Sequence, residues 1–335
     1  MYSIFLAHTP EELEMLYSKE AISLLEGMGK VLFNPYPRVL SDEELTECAA
    51  DCQFIITTVR TAGSKSLFER SPNLLAFIRA GVDLRNVDID AATQNGVLVC
   101  NCPGIYEAPV VELVIGYLCC ISRKIIEHAV NLKKGIANRY TTPDLFGKTL
   151  GIVGFGSIGK RVAKAASALG MDILVYDPFV RETEYPLVSL EDLLSRSDFV
   201  SLHVVLNSKT EGMIGERELS LMKPTAWLIN TARGLLIQEQ ALYSALTKGT
   251  IAGAALDVFA TEPDIAGNPL LQLPNVIATP HIGGWSTRVY KEISLKTTEL
   301  IRELISGKIP ESAVNKGQLK EIRLTSAPAS NHIEP

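Results

Sequence analysis

The sequence predicts an α/β fold built on parallel sheets. Short apolar runs alternate with segments of helical periodicity through almost all of the 335 residues, as expected for strands that are buried on both faces. A glycine-punctuated turn joins one of these strands to a helix near the middle of the chain. Polar side chains also follow several strands, and ligands of open parallel sheets bind beyond the carboxyl ends of the strands.

The first hundred residues carry their own alternation of strands and helices. The apolar segment 1–7 predicts a first strand and not a secretory signal, because it is short and has no basic region. Further strands are predicted at residues 54–59, 75–78 and 97–101. We therefore expect a separate, smaller α/β domain at the N-terminus.

A long helical stretch follows at residues 110–134, and we predict an interruption at Gly116. The stretch lies between two sets of strands, so it is expected to bridge two domains with a cleft between them. Its most apolar part, 110–121, contains Glu112 and is shorter than the ~20 residues of a membrane span.

The segment 149–177 predicts a dinucleotide-binding unit. An apolar strand at 149–153 leads into Gly154-Phe155-Gly156-Ser157-Ile158-Gly159, and a helix with apolar residues on one face follows and ends at Gly170. One glycine permits the turn, one lets the backbone approach a pyrophosphate and one lets the helix pack on the strand. The glycines alone would also suit a tight turn without a ligand, but here strand, turn and helix occur together.

Asp177 directly follows the next predicted strand, 172–176, and lies 18 residues beyond Gly159. A carboxylate at this point accepts hydrogen bonds from an adenosine ribose and repels the 2′-phosphate of NADP. Asp177 therefore predicts NAD as the cofactor, although Arg181 nearby weakens that preference slightly.

More strands are predicted along the rest of the chain, at 199–203, 226–230, 251–258 and 276–279. A final helix at 287–305 is expected to return to the N-terminal domain, because no further set of strands follows it. The tail 317–335 has few apolar residues and is expected to be loosely ordered.

Three strand ends on the side of the glycine turn carry Arg233, Glu262 and His281. Histidine titrates near neutral pH, so His281 is the candidate that takes and returns a hydroxyl proton as a hydride moves. Glu262 would fix its tautomer, and Arg233 would hold a substrate carboxylate and polarise a carbonyl. Each residue taken alone is more typical of a solvated or ion-paired position; together they predict hydride transfer at a carbon that bears oxygen.

The remaining polar candidates are less specific. Asp257 is predicted to orient a nicotinamide carboxamide, and His203 to line the cofactor crevice. His8, His128 and His332 are expected to be structural or exposed.

Composition excludes several classes of partner. The 32 basic and 38 acidic residues give a net charge of -6 with no long run of either sign, which argues against nucleic acid or a membrane surface. The six cysteines lack the spacing and histidine partners of a zinc site, so we predict no metal and expect reduced thiols. A cytoplasmic protein is expected.

In their order and spacing, these motifs resemble those of the D-isomer-specific 2-hydroxyacid dehydrogenase family, and the match covers nearly the whole chain. The residues that carry it are Gly154, Gly156 and Gly159 with Asp177, residues 230–234, residues 257–259 with Glu262 and Pro263, and residues 279–283. The chain is similar to the phosphoglycerate dehydrogenases of this family, in a short form that ends before their regulatory domain.

The resemblance implies two Rossmann-like domains with parallel sheets. An NAD domain at 101–284 is inserted into a flavodoxin-like substrate domain made from 1–100 and 285–335, and a homodimer forms largely through the NAD domains. It implies the catalytic residues Arg233, Glu262 and His281. It implies cofactor contacts from Gly154, Gly156, Ser157, Ile158, Gly159, Asp177, His203, Val204, Thr231, Ala232, Asp257 and Gly283, and substrate contacts from Arg60, Gly81, Val82, Asp83 and Arg233.

The sequence departs from the family pattern mainly around the predicted substrate residues. Asp83 stands where many relatives have glycine, and Arg85 where an aspartate is common. Residues 105–109 lack an asparagine-rich turn, and Leu235 and Gln238 replace a usual glycine and acidic residue. These differences leave the predicted hydride chemistry in place and leave the substrate open.

The sequence therefore favours an NAD-dependent oxidoreductase that interconverts a D-2-hydroxy acid and its 2-keto acid, with a phosphoglycerate-like substrate as one option. Two alternatives share the same fold and motifs. One is an NAD(H)-sensing binding protein similar to the corepressors of this fold, and the other is a dehydrogenase of phosphite or formate.

Overall fold

The computed structural model describes residues 1–262 and 264–319. These residues form two compact units. Unit 1 joins Met1–Ile105 to the described residues from Ser286 onward, and unit 2 is the continuous segment Tyr106–Trp285. The sequence of unit 2 is therefore inserted into that of unit 1.

The strands in the described part of the chain are short and mostly buried. They are β1 (Tyr2–Leu6), β2 (Gly29–Phe33), β3 (Phe54–Thr57), β4 (Ala76–Arg79), β5 (Leu98–Cys100), β6 (Thr149–Val153), β7 (Asp172–Tyr176), β8 (Phe199–Leu202), β9 (Trp227–Asn230), β10 (Gly253–Leu256) and β11 (Val276–Ala278). Every strand named in the sequence analysis is present, and its ends differ from the prediction by at most two residues.

The α-helices alternate with these strands. They are α1 (Pro10–Leu16), α2 (Lys19–Glu26), α3 (Asp42–Cys48), α4 (Lys65–Arg70), α5 (Ile89–Gln94), α6 (Glu107–Arg123), α7 (Ile125–Lys133), α8 (Ser157–Ala168), α9 (Leu190–Arg196), α10 (Glu216–Leu221), α11 (Glu239–Lys248) and α12 (Thr287–Ile305). Short 3-10 helices add Gly234–Leu236 and Pro269–Gln272.

Unit 1 contains a five-stranded parallel sheet in the order β2-β1-β3-β4-β5. This is the flavodoxin-like order, in which the chain reverses direction across the sheet between β1 and β3. The strands β3 and β4 are buried at every position, because helices cover both faces of the sheet. The predicted flavodoxin-like fold of this unit is confirmed.

The C-terminal residues of the described chain complete unit 1. The long helix α12 packs on α1 and α2, and the Tyr17 hydroxyl forms a 2.9 Å hydrogen bond with Thr297 Oγ1. Beyond it, buried Asn315 accepts a hydrogen bond from Val99 N–H and donates one to the Val97 carbonyl. The predicted return of this helix to the N-terminal domain is confirmed, whereas most of the tail 317–335 lies outside the described residues.

Unit 2 contains a six-stranded parallel sheet in the order β11-β10-β9-β8-β6-β7. The chain leaves β6 for β7 and then crosses back to β8, so β6 and β8 lie side by side. Successive residues of a strand enter opposite cores: Val153 packs with Leu202 on one face, and Ile152 with Ile229 on the other. The carboxyl ends of β6 and β8 form the switch point where such sheets bind ligands.

The predicted helical stretch 110–134 differs from the structure in two respects. Gly116 does not interrupt it, because a glycine inside a helix costs only about 1 kcal/mol and the buried face of α6, with Val114 and Leu118, offsets that cost. The helix instead ends at Lys124, which has the left-handed φ of 49°. Both α6 and α7 belong to unit 2.

Within residues 1–262 and 264–319, no helix combines the length and the apolar character needed to cross a bilayer.

Candidate active site

The glycine turn that follows β6 is held by close backbone contacts. Gly154 has a φ of 93°, and a Cβ at this position would lie 2.6 Å from the carbonyl oxygen of His203. A Cβ at Gly159 would lie 2.2 Å from the Gly154 carbonyl oxygen. Neither position accepts a side chain, because the turn must bend tightly and α8 must approach the end of β6.

Gly156 is different, because a Cβ added there would meet no atom within 4 Å. It is the N-cap residue of α8, and no side chain caps this helix end. The predicted contacts Ser157 and Ile158 are the first two residues of the helix, so their N–H groups are among those left without a partner in the helix. An exposed helix N-terminus beside an open glycine is a fitting site for a phosphate group.

Asp177 follows β7 and is hydrogen-bonded to the glycine turn. Its Oδ2 accepts from the Phe155 N–H at 2.8 Å, and its Oδ1 accepts from the Phe179 N–H at 2.8 Å. The carboxylate is thereby fixed at the strand end where the ribose of a dinucleotide is expected.

His203 and Val204 lie across the switch point from the glycine turn. The His203 N–H donates to the Val153 carbonyl at 2.7 Å, and its ring Nε2 forms a 2.9 Å hydrogen bond with Ser201 Oγ. Burial lowers the pKa of His203 to about 4, so the ring is neutral at physiological pH. The residue whose backbone contacts the glycine turn therefore carries a neutral side chain and adds no charge there.

Residues 230–234 form the turn that carries Arg233. Buried Asn230 organises it, because its amide donates to the Arg233 carbonyl and its Oδ1 accepts from the Ala232 N–H at 3.0 Å. A Cβ at Gly234 would lie 1.9 Å from the carbonyl carbon of Phe259. Glycine at 234 therefore lets this turn contact the segment that leads to Glu262.

The hydroxyl of Thr231 lies in the same turn. It is buried and has no hydrogen-bond partner among the described residues. A buried hydroxyl without a partner is uncommon in a folded protein, and a bound ligand can supply the missing bond.

Asp257, fully buried after β10, holds the turn that carries His281. Its backbone carbonyl accepts from the His281 N–H at 2.8 Å, and its carboxylate oxygens accept from the N–H groups of Ile282 and Gly283 at 2.8 Å each. The Thr279 hydroxyl also donates to Oδ1. Three successive backbone N–H groups thus depend on one aspartate.

These bonds hold His281 in an uncommon backbone conformation. Its φ is 55°, and Lys124 is the other non-glycine residue with a positive φ among the described residues. A left-handed non-glycine residue costs of order 1–3 kcal/mol, which the bonds to Asp257 offset.

The imidazole of His281 is paired with Glu262. The distance from Nδ1 to Oε2 is 2.7 Å. Burial raises the pKa of Glu262, but hydrogen bonds from the His281 ring and from the Phe259 N–H outweigh burial, so its pKa lies below the usual value. The ionised carboxylate fixes a proton on Nδ1 and leaves Nε2 free to exchange one.

The described residues of unit 2 fit an NAD cofactor. The open backbone at Gly156 suits a pyrophosphate, the Asp177 carboxylate suits ribose hydroxyls, and the Thr231 hydroxyl lacks a partner. These residues follow β6, β7 and β9, whose carboxyl ends lie at the same edge of one parallel sheet.

The predicted substrate residues Arg60, Gly81, Val82 and Asp83 lie in unit 1, after β3 and β4. Arg79 is fully buried and links the two segments, because it donates to the Thr61 carbonyl at 3.0 Å and to Asn86 Oδ1 at 2.6 Å. Asn86 in turn donates to the Val59 carbonyl.

Asp83 does not present an isolated carboxylate. It accepts hydrogen bonds from the Arg85 N–H and Nε–H, and Arg85 Nη2 lies 2.7 Å from its Oδ2. The two departures from the family pattern in this loop therefore form one ion pair.

Several residues of unit 2 have structural roles that were not predicted from the sequence. Asn230 was noted only as part of a motif, and Thr279 likewise. Tyr117 occupies an apolar position of α6, yet its hydroxyl is hydrogen-bonded to Thr279 Oγ1, and burial raises its pKa. Its position on the apolar face of the helix predicts a core residue, so the sequence pattern gives no indication of this hydrogen bond.

The other histidines take different places. His8 is fully buried, and burial, with the nearby Arg79 charge, lowers its pKa to about 3. The ring of His128 stacks on Tyr140 with centroids 4.2 Å apart. His332 lies outside the described residues. Within the described chain, no cluster of three or more histidine, cysteine or acidic residues could hold a metal ion.

Comparison with known proteins adds three similarities. Residues 115–283 match the family model described as D-isomer specific 2-hydroxyacid dehydrogenase, NAD binding domain. The chain is 37% identical over 314 residues to the D-3-phosphoglycerate dehydrogenase of Methanocaldococcus jannaschii, which covers 91% of this chain and 59% of that protein. It is 37% identical over 289 residues to the hydroxypyruvate reductase of Thermotoga maritima, covering 84% and 94%.

A solved structure shares the fold. The TT0316 protein from Thermus thermophilus superposes with a TM-score of 0.84 at 31% identity, covering 93% of this chain and 99% of that one. The match to an NAD-binding domain confirms the predicted cofactor. The chain spans little more than half of the phosphoglycerate dehydrogenase and nearly all of the hydroxypyruvate reductase.

Two glycine variants separate ligand binding from folding at this site. Gly156→Ala is expected to weaken NADH binding roughly 10-fold or more while the melting temperature of the free protein stays unchanged, because its Cβ meets open space. Gly159→Ala is expected to lower the melting temperature, since its Cβ overlaps the Gly154 carbonyl, at a cost of about 1–3 kcal/mol. Fluorescence titration and thermal denaturation measure the two effects, and an equal loss of stability in both variants would contradict the assignment.

Proposed function

The chain belongs to the D-isomer-specific 2-hydroxyacid dehydrogenase family of NAD-dependent oxidoreductases, as its motifs predicted, and we propose that it interconverts a D-2-hydroxy acid and the corresponding 2-keto acid. The observation that carries this proposal is the hydrogen bond between His281 Nδ1 and Glu262 Oε2. It places a tautomer-fixed imidazole in the unit that matches the NAD-binding domain.

In this proposal His281 moves the proton. Because Nδ1 keeps its hydrogen for Glu262, Nε2 accepts the hydroxyl proton when the hydroxy acid is oxidised and returns it when the keto acid is reduced. The ionised Glu262 stabilises the positive charge that the ring acquires. The chemistry that NAD supplies when bound is acceptance of a hydride at its nicotinamide ring.

Arg233 is the proposed electrophile. Its guanidinium keeps its charge at every physiological pH and can polarise a carbonyl oxygen or hold a carboxylate in a fork of N–H groups. The Asn230 turn fixes its backbone, and its charge contributes to the lowered pKa of Glu262. We therefore propose that Arg233 acts at the same site as the His281–Glu262 pair.

The cofactor contacts from Gly154, Gly156, Ser157, Ile158, Gly159, Asp177, His203, Val204, Thr231, Ala232 and Gly283 all remain predictions, as do the substrate contacts from Arg60, Gly81, Val82 and Asp83. Asp257 is proposed to orient the nicotinamide carboxamide in addition to holding the 281–283 turn. A bare carboxylate at position 83 would repel an acidic substrate, but Asp83 is paired with Arg85.

The names of the relatives suggest which acid is the substrate. Hydroxypyruvate and 3-phosphoglycerate are both candidates, because one relative is named a hydroxypyruvate reductase and another a D-3-phosphoglycerate dehydrogenase.

We further propose a cytoplasmic homodimer. The helix α7 buries none of its residues, and several apolar side chains on and after it are largely exposed: Ile125, Ile126, Val130, Leu132 and Ile136. A surface of this kind is typical of a subunit interface. All six cysteines are free thiols, as is usual for proteins of a reducing compartment.

A panel of 2-keto acids with NADH tests the proposed reaction. We expect loss of nicotinamide absorbance with at least one of hydroxypyruvate, 3-phosphohydroxypyruvate, glyoxylate and pyruvate. A protein that binds NADH tightly and reduces none of these acids would instead be an NAD(H) sensor. Oxidation of phosphite or formate with NAD would point to the other alternative.

Replacement of the imidazole gives a sharper test of the mechanism. His281→Ala is expected to lower turnover roughly 10²–10⁴-fold with little change in NADH affinity, because only proton transfer is lost. His128→Ala is the matched control, since its ring stacks on Tyr140 and it is not among the predicted site residues, and it should retain full turnover. Parallel losses of turnover and NADH affinity in His281→Ala would rule out this role.

The proposed dimer predicts the effect of a charge on α7. Leu132→Asp, at a position whose side chain is 64% exposed, should convert a dimer into a monomer, because the carboxylate would be desolvated in the interface. Phe179→Asp, at an exposed apolar position elsewhere in unit 2, should leave the mass unchanged. Light scattering after size-exclusion chromatography measures both, and a wild-type monomer would refute the dimer.

A further inference from the structure

The first residue of α6 lies beside the glycine turn. Glu107 Oε1 accepts a hydrogen bond from Ser157 Oγ at 3.2 Å. Ser157 is the first residue of α8, directly after Gly156, and both helices belong to unit 2. A carboxylate is thus anchored at the helix end that is proposed to receive the pyrophosphate of NAD.

The second oxygen of this carboxylate is poorly satisfied. Glu107 Oε2 is buried and has no hydrogen-bond partner among the described residues. Burying a carboxylate oxygen without a partner is costly. The positive end of α8 partly offsets that cost, since acidic groups are stabilised near a helix N-terminus. Glu107 therefore uses the same electrostatic feature that a phosphate would use.

We propose that Glu107 weakens the binding of NAD(H) and speeds its release, an inference that rests on the proposed function. A pyrophosphate on the first turn of α8 meets a carboxylate that Ser157 holds at that turn, and like charges repel. The carboxylate either stays and repels the ligand or turns away and loses the bond to Ser157. Both outcomes lower the affinity relative to a neutral side chain.

The consequence is kinetic as well as thermodynamic. Release of product limits turnover in many enzymes, and most differences in affinity among variants of one site arise in the dissociation rate. A fixed carboxylate at the phosphate turn shortens the residence time of the cofactor. Glu107 also stabilises the ligand-free turn through its bond to Ser157, which adds to the same preference.

The test measures NADH binding without substrate. Dissociation constants are determined by fluorescence titration, and dissociation rates by stopped-flow displacement, for wild type, Glu107→Gln and Glu107→Ser. Both variants are expected to bind NADH about 3- to 10-fold more tightly and to release it correspondingly more slowly. The gain should shrink at high salt, because screening weakens the repulsion in the wild type.

Glu216→Gln is the matched control. Glu216 is an exposed acidic residue in the first turn of α10 in the same unit, so its loss removes an equal charge from another helix N-terminus. It should leave NADH affinity unchanged. An equal gain in Glu216→Gln would show an effect of net charge and would overturn the assignment to Glu107.

Further outcomes separate the inference from the proposed function. Unchanged or weaker binding in both Glu107 variants, with melting temperatures close to wild type, would overturn the inference and leave the dehydrogenase proposal intact. A wild-type protein that binds no dinucleotide would overturn the proposed function and this inference with it. Use of both glutamine and serine keeps the comparison valid if one variant does not fold.

Discussion

The bonds accepted by Asp257 are the constraint on which the candidate active site depends. One buried aspartate receives the N–H groups of residues 281, 282 and 283 through its carbonyl and carboxylate oxygens. Without them, the left-handed conformation of His281 has no compensation, and the ring would not be directed at Glu262. The proton-transfer geometry is therefore set by a residue that need not touch the substrate.

A second set of constraints places the strand-end turns against one another. Gly154 lets the first turn approach the backbone of His203, and Gly234 lets the Arg233 turn approach Phe259. Both contacts join loops that follow neighbouring strands of the sheet. The strand-end turns of unit 2 approach one another closely because glycine stands at the contacts, where a residue with a Cβ would overlap the neighbouring backbone.

Much of this arrangement could be predicted from the sequence. Continuous apolar runs predicted strands such as β3 and β4, because parallel strands are covered on both faces. The glycine run and the spacing to Asp177 predicted the dinucleotide unit. The strand-end positions of Glu262 and His281 predicted that they belong together, since all strands of a parallel sheet end at the same edge.

The remainder depends on contacts that leave no periodic signal. The strand β2 was not predicted, because its residues are only partly buried at the sheet edge and form no continuous apolar run. The helix break at Lys124 requires a left-handed lysine, which local propensity disfavours. The Tyr117 hydroxyl and the Glu107 carboxylate form hydrogen bonds with residues far away in the sequence, so no local sequence pattern predicts these bonds.

The pairing of Asp83 with Arg85 has a consequence for the evolution and engineering of the loop. Because the two charges cancel within three consecutive positions, the pair is neutral, and replacing either residue alone with a neutral one leaves an unpaired charge in the loop. The more common pair, glycine and aspartate, carries one negative charge, and a path that changes one position at a time passes through either an unpaired arginine or two aspartates. A chimera that exchanges this loop with a relative must therefore take the residues at positions 83 and 85 from the same parent protein.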